Sequence, residues 1–196
     1  LYVSRSGFTN ELGFEIYSDG FKTDHLALWD HLMNCGQPFG MELSATRAMT
    51  IRRIEAGIFG NLTDIDTTIN PFEAGLGFCV NMDKEDFIGR DALLNKDKGT
   101  CLFGLTCETE TPVSGSKVIE GDKIVGHITA GVHSLTLNTG IGYVRFYEPK
   151  DWPGKKLILK LPNGENHKSK IVNLPFFDPE KKIVKGIDRS IPDQTK

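Results

Sequence analysis

Between Cys101 and Leu174 the chain carries six short apolar runs separated by turn signals, with almost nothing that reads as a helix. The runs lie near 101–107, 116–120, 123–130, 140–147, 156–161 and 168–174. Glu120-Gly121-Asp122 and Asn163-Gly164 are hairpin signals, the second the stronger because Asn-Gly suits the positive φ of a tight two-residue turn. Six strands this short at this spacing suggest a small antiparallel barrel, closed or nearly so.

The pattern before it is different. Residues 13–18 alternate as a strand, placing Phe14, Ile16 and Ser18 on one face and Glu15 and Tyr17 on the other. Thr23 or Asp24 can cap a helix running through Asn34 with Leu26, Trp29, Leu32 and Met33 as its apolar stripe, stopped by Gly36 and Pro38. Ser44 can cap a second helix to Glu55, with Ile51, Ile54 and Ile58 inward and Gly57 ending it. Residues 60–75 form a polar connection long enough to suggest service to a site. "LGFCVNM" (76–82) reads as a short apolar strand, and "FIGRDALL" (87–94) starts a helix that gives way to "NKDKGT". That polar run is taken as the boundary of an α+β chain with two parts, 1–97 and 98–196. The tail after Asp178, rich in Lys and Asp, reads as a loosely held terminus.

Composition removes several classes of function. A formal net charge of −3 gives no basic footprint for nucleic acid. No apolar run approaches the ~20 residues of a membrane span, and no signal sequence opens the chain. Cys35, Cys79, Cys101 and Cys107 have no paired spacing, as expected of reduced thiols in a cytoplasmic protein, and the five histidines form no metal-ligand pair. The chain starts at Leu1 and enters a strand pattern almost at once, which reads as the C-terminal piece of a longer polypeptide.

Within 1–97 the residue that asks for an explanation is Glu15, an acid in the middle of "GFEIY". Pattern alone allows an outward-facing carboxylate on a half-exposed strand, or one aimed into a cleft to grip a ligand with paired N–H donors. "GLGFCV" (75–80) begins like a dinucleotide fingerprint but lacks the third glycine and the following helix. Asp64, Asp66 and Glu73 are out of register for a calcium loop and read as loop and turn residues. Arg52 and Arg53 fit either an anion site or, more commonly, solvated helix charges.

Four stretches in order, "SRSGFTNELGFEIY" (4–17), "RRIEAGIFGN" (52–61), "NPFEAGLGFCVNMDKEDFIGRDAL" (70–93) and "VGHITAGVHSLTLNTGIGYV" (125–144), resemble the folate-dependent aminomethyltransferase family. Its members include the glycine cleavage T-protein, the C-terminal modules of dimethylglycine and sarcosine dehydrogenases, and the dimethylsulfoniopropionate demethylases. The resemblance implies that 1–97 is the last portion of a folate-binding domain and that 98–196 is a C-terminal β-barrel. In the family's G-Y-T-G-E-x-G-[FV]-E motif the last Glu grips the pterin ring. Here the motif runs from Gly7 to Glu15, which assigns that role to Glu15. Phe8 and Arg53 join Glu15 as implied cofactor contacts. The family's folate-contacting helix arginine falls on Met49, with Arg47, Arg52 and Arg53 nearest, and its C-terminal tyrosine falls near Lys181.

The implied function is tetrahydrofolate-dependent transfer of an aminomethyl or methyl group from a small-molecule donor. The catalytic acid is expected in an N-terminal half that this sequence does not include. The resemblance also leaves open a folate module behind a flavin dehydrogenase, or a folate-binding protein without catalysis.

Overall fold

The computed structural model describes residues 1–190. Its organising unit is a closed six-stranded antiparallel barrel of β3 (Leu102–Cys107), β4 (Lys117–Glu120), β5 (Lys123–Ser134), β6 (Thr139–Phe146), β7 (Lys156–Lys160) and β8 (Asn166–Val172), in the order β3-β6-β5-β4-β7-β8. Pairing of Leu105 with Ile171 closes the ring, so no strand edge is left open. Alternation drives Leu105, Val118, Ile128, Val144, Leu159 and Ile171 inward, and Trp152 closes one end, its ring stacked 3.9 Å from Phe146.

One stretch of the barrel wall is also buried from outside. Ahead of the barrel come a two-stranded hairpin, β1 (Tyr2–Ser4) with β2 (Glu15–Tyr17), and three helices, α1 (His25–Gly36), α2 (Thr46–Glu55) and α3 (Arg90–Leu94). α2 lies over β5 and β6, and Ile54, Leu102, Ile141 and Tyr143 form a second core there with Phe59, Leu174 and Phe176 packed against it. β6 is therefore covered on both faces, and "GIGYV" is nearly continuous in its burial. The glycines serve that crowding. A Cβ on Gly131 would stand 2.1 Å from the Pro112 carbonyl oxygen, and one on Gly140 2.1 Å from that of Glu110, so the 108–113 segment crosses where only glycine fits.

Several sequence expectations are corrected. Gly77–Cys79 is a 3-10 turn and not a strand, because local bonds from Leu76 N to Pro71 O and Val80 N to Gly77 O satisfy the backbone and Gly75 has a φ of 73°. Asp24 caps α1 by accepting from Ala27 N, but α2 has Ala45 as its N-cap, without a side-chain cap bond, and Ser44 is not used. The stripe of α1 and the apolar face of β2 are uncovered among the described residues, with Leu26 79% and Phe14 66% exposed. Between Asp178 and Ser190 the chain is tied down, Arg5 donating to Val184 O at 3.1 Å and Lys181 Nζ to Ala56 O at 3.2 Å, while the rest of the tail lies outside the described residues. No helix among the described residues is long and apolar enough to cross a membrane.

Tyr143 joins α2 to the barrel. Its hydroxyl lies 3.1, 3.2 and 3.1 Å from the carbonyl oxygens of Arg53, Ile54 and Ile58 and shares its one proton among them, and burial pushes its pKa up so that it stays a donor. Each carbonyl keeps another donor, respectively Ile58 N, Gly57 N and the Arg53 guanidinium. Tyr143→Phe therefore removes a bond without stranding an acceptor, and we expect a loss of about 1 kcal/mol by urea unfolding. Tyr143→Ala, which empties the space between Phe59 and Phe176, is expected to cost about 3–5 kcal/mol.

Candidate functional site

The C-terminal turn of α2 carries Arg52, Arg53 and Glu55, and each is fixed by a different part of the chain. Glu55 is 1% exposed, deep between α2 and the hairpin joining β5 to β6. Its carboxylate accepts from Ser134 Oγ at 2.5 Å, Thr136 Oγ1 at 3.1 Å and the Arg52 guanidinium. Arg52 also donates to Thr136 Oγ1 at 2.9 Å and to the Glu11 carboxylate, and its guanidinium lies 5.5 Å over the Phe177 ring. One arginine thus binds the 7–13 loop, the helix and the barrel hairpin together.

Arg53 turns the other way, into a nearly dry pocket. It donates to Asp64 Oδ2 at 2.8 Å and to Ile58 O at 3.1 Å. Asp64, a fully buried side chain, also accepts from Gly60 N at 2.7 Å and Thr129 Oγ1 at 2.8 Å. Thr129 is the extra residue where the β5–β6 register shifts between Ile128 and Ala130. The bulge turns Thr129 toward the 60–66 loop while Ile128 stays in the barrel core. Neither arginine is the solvated helix charge that composition makes commonest, since each has a buried carboxylate to neutralise. Asp66 and Glu73 take loop roles, accepting from Thr68 N at 2.8 Å and Asn70 N at 2.9 Å.

The family-implied residues gather around the 5–15 segment. Phe8 sits over the Arg53 guanidinium, 6.0 Å from ring centroid to carbon. Asn10 occupies the left-handed region at a φ of 61° and donates to Asp178 Oδ2 at 3.1 Å, which ties the loop to the C-terminal tail. Glu15 lies on β2 opposite Ser4, and its Oε2 accepts from Ser6 Oγ and from Tyr17 OH, the latter at 3.1 Å. Among the described residues Oε1 accepts nothing.

Beside this acid opens a cavity of about 460 Å³, walled by Arg5, Ser6, Asn10, Glu11, Ile58 and Lys185 among others. A cleft lined by residues of 1–97 with Glu15 facing it was expected. Two walls, Val184 and Lys185, come instead from the tail, and Glu15 is not a wall residue but reaches the cavity through Ser6. Met49 is partly exposed and outside these walls, while Lys181 is held at Ala56. Sequence reasoning missed the tail walls and the Glu55 centre. The available signals were an acid set in the apolar "RIEAGI" and the hydroxyl-rich hairpin "HSLTLNT" that receives it.

Removing Arg52 leaves Glu55 buried without its cation. Arg52→Met is expected to destabilise the chain by about 3–5 kcal/mol in urea unfolding, and Arg52→Met combined with Glu55→Leu by less than Arg52→Met alone.

With this geometry in place, the chain can be set against known proteins. Residues 1–84 match the family model described as GCVT N-terminal domain, and residues 101–178 match the glycine cleavage T-protein C-terminal barrel domain. The aminomethyltransferase of Alkaliphilus oremlandii is 42% identical over 147 residues, which are 72% of this chain and 39% of the relative. The probable aminomethyltransferase of Pyrococcus furiosus is 33% identical over 207 residues, covering 92% of this chain and 51% of the relative. Among solved structures, the glycine cleavage system aminomethyltransferase T from Bartonella henselae superposes with a TM-score of 0.76 at 26% identity, over 89% of this chain and 49% of that one. The chain spans about half the length of the relatives it matches. Matched both over residues 1–84 and in its barrel, it belongs to the aminomethyltransferase family typified by the glycine cleavage T-protein.

Proposed function

We propose that this chain is the pterin-clamping and barrel portion of a tetrahydrofolate-dependent aminomethyltransferase, completed by an N-terminal half that carries the general acid–base group. The observation that carries the reading is Glu15: its Oε2 is fixed by Tyr17 and by Ser6, a wall residue of the cavity of about 460 Å³, and its Oε1 accepts nothing among the described residues. The pterin N3–H and 2-amino group form a two-donor edge that matches a carboxylate in parallel hydrogen bonds. A carboxylate already held in place loses less freedom when such an edge binds. Phe8, stacked over Arg53, sits on the same loop and is assigned to cover the bound cofactor, with Arg53 holding Phe8. The uncovered faces of β2 and α1 support an N-terminal half as the partner, because exposed Phe14, Leu26 and Trp29 are apolar surface that water disfavours. The protein's part in the transfer is to position folate against a small one-carbon donor and exclude water.

Titration of the full-length polypeptide with tetrahydrofolate tests the clamp. Glu15→Gln places a donor against the pterin donors and is expected to weaken binding by about 2–3 kcal/mol, roughly 30- to 150-fold. Glu11→Gln, whose parent carboxylate is engaged by Arg52, should change affinity far less. Equal affinities for Glu15→Gln and the parent would return Glu15 to the role of an ordinary strand carboxylate. The 196-residue chain alone is expected to show negligible turnover with tetrahydrofolate and an aminomethyl donor.

A further inference from the structure

The barrel wall that α2 leaves uncovered carries a charge distribution that neither folding nor the folate reading explains. Strand register sets Lys160 opposite Lys117, Lys117 opposite His127, and His127 opposite Arg145. Directly opposed residues share a face, so these four form one row across β7, β4, β5 and β6, about 14 Å long at the usual strand spacing, whose Arg145 end is neutralised by Asp66 at 3.5 Å and whose Lys117 and Lys160 are not paired among the described residues. A second opposed pair, Lys156 and Lys170, lies on β7 and β8, with Lys168 opposite Ile158. Among the described residues, none of the five lysines forms an ion pair, and no outward position of β7 or β8 is acidic. Like charges directly opposite work against a sheet, so this wall does not serve the barrel's own stability. It is all the more distinctive in a chain whose formal net charge is −3.

The same wall is grooved. A depression of about 390 Å³ is lined by Ile119, Ile158, Leu157 and Lys156, and is bounded by the Lys155–Glu120 ion pair at 2.8 Å. Ile119 and Ile158 face each other across β4 and β7, and both are only partly buried. An apolar floor edged by the unpaired Lys156 and flanked along β4, β7 and β8 by Lys117, Lys160, Lys168 and Lys170 has the anatomy of a protein-recognition patch: a desolvated centre with charged surroundings. A membrane surface would not use a concave apolar floor, and a single-stranded nucleic acid calls for aromatic platforms, of which this wall offers only His127 beside Tyr147.

We propose that the β4–β7–β8 wall docks an acidic peptide segment of a partner protein, with one apolar side chain seated over Ile119 and Ile158 and flanking carboxylates on Lys117, Lys156, Lys160 and Lys168. The site is separate from the cavity beside Glu15 and does not depend on the folate reading. Fluorescence polarisation with a labelled Asp-Glu-Asp-Leu-Asp-Glu-Asp peptide tests it on the 196-residue chain. Saturable binding that weakens with salt is expected, falling about tenfold or more when alanine replaces the leucine. Lys156→Glu with Lys160→Glu should weaken binding at least about tenfold while leaving the melting temperature unchanged or raised, since each change turns an opposed like-charge pair, Lys156–Lys170 and Lys117–Lys160, into one of opposite charge. Lys22→Glu, remote from the wall, should leave binding unchanged. Equal binding of the leucine and alanine peptides would overturn the groove. Tighter binding to phosphatidylserine vesicles or to oligo-dT than to the peptide, an equal loss in Lys22→Glu, or no binding at millimolar peptide would each overturn the proposal.

Discussion

Glu55 holds the two parts of this chain in register. A carboxylate taken out of water needs a cation and a full set of donors, and here the cation comes from its own helix while the hydroxyl donors come from the barrel. The requirement acts over distance in sequence. Ser134 and Thr136 lie about eighty positions from Glu55, so the ion is satisfied only once the barrel has formed and α2 has docked on it. Glu11 is recruited through Arg52, which fixes the loop that walls the cavity. The backbone extends the same centre, with Phe177 N donating to Glu55 O at 3.0 Å, so the chain leaving the barrel is anchored where the helix meets it. Folding of the barrel and shaping of the cavity are thereby coupled through one buried acid.

The barrel was legible because each of its strands announces itself locally. Period-two alternation in "KLILK" and the Asn163-Gly164 turn require no knowledge of their neighbours. β6 was legible for a different reason: buried on both faces, it reads as a continuous apolar run broken by glycines where other segments cross. The 76–82 segment misled for the same reason. An apolar run looks like a strand, but with no strand beside it among the described residues the backbone of Gly77–Cys79 closes on itself in a turn. Arg52 and Arg53 misled because helix arginines are usually solvated, and only the fold reveals that one meets Glu55 and the other Asp64. The motif from Gly7 to Glu15 located the loop around the cavity, whereas Val184 and Lys185 lie in a tail whose composition resembles an unanchored end. The bonds that hold it, from Asn10 to Asp178 and from Arg5 to Val184, join residues more than 160 positions apart, beyond the reach of any local pattern.

Burial is distributed unevenly, and the distribution has a physical sense. The barrel satisfies itself: its interior is closed at one end by Trp152, and its ladder has no open edge. In residues 1–52 only Asn10 is buried, while Leu26 and Phe14 stand in solvent. α1 is nevertheless well formed, capped by Asp24, so its helicity rests on local bonds and not on packing. A helix of twelve residues is marginal on those terms in water, and the two-stranded β1–β2 hairpin is no better supported. The carboxylate proposed to hold the pterin thus stands on the least supported element of the chain. Tyr17 and Ser6 fix its side chain locally, but the hairpin itself gains rigidity only when its apolar face is covered. In this arrangement the strength of the clamp and the docking of a covering surface are linked: what covers Phe14 and Ile16 also stiffens the strand on which Glu15 sits. Cover on one face of β2 and ligand on the other would then stabilise each other with no direct contact between them.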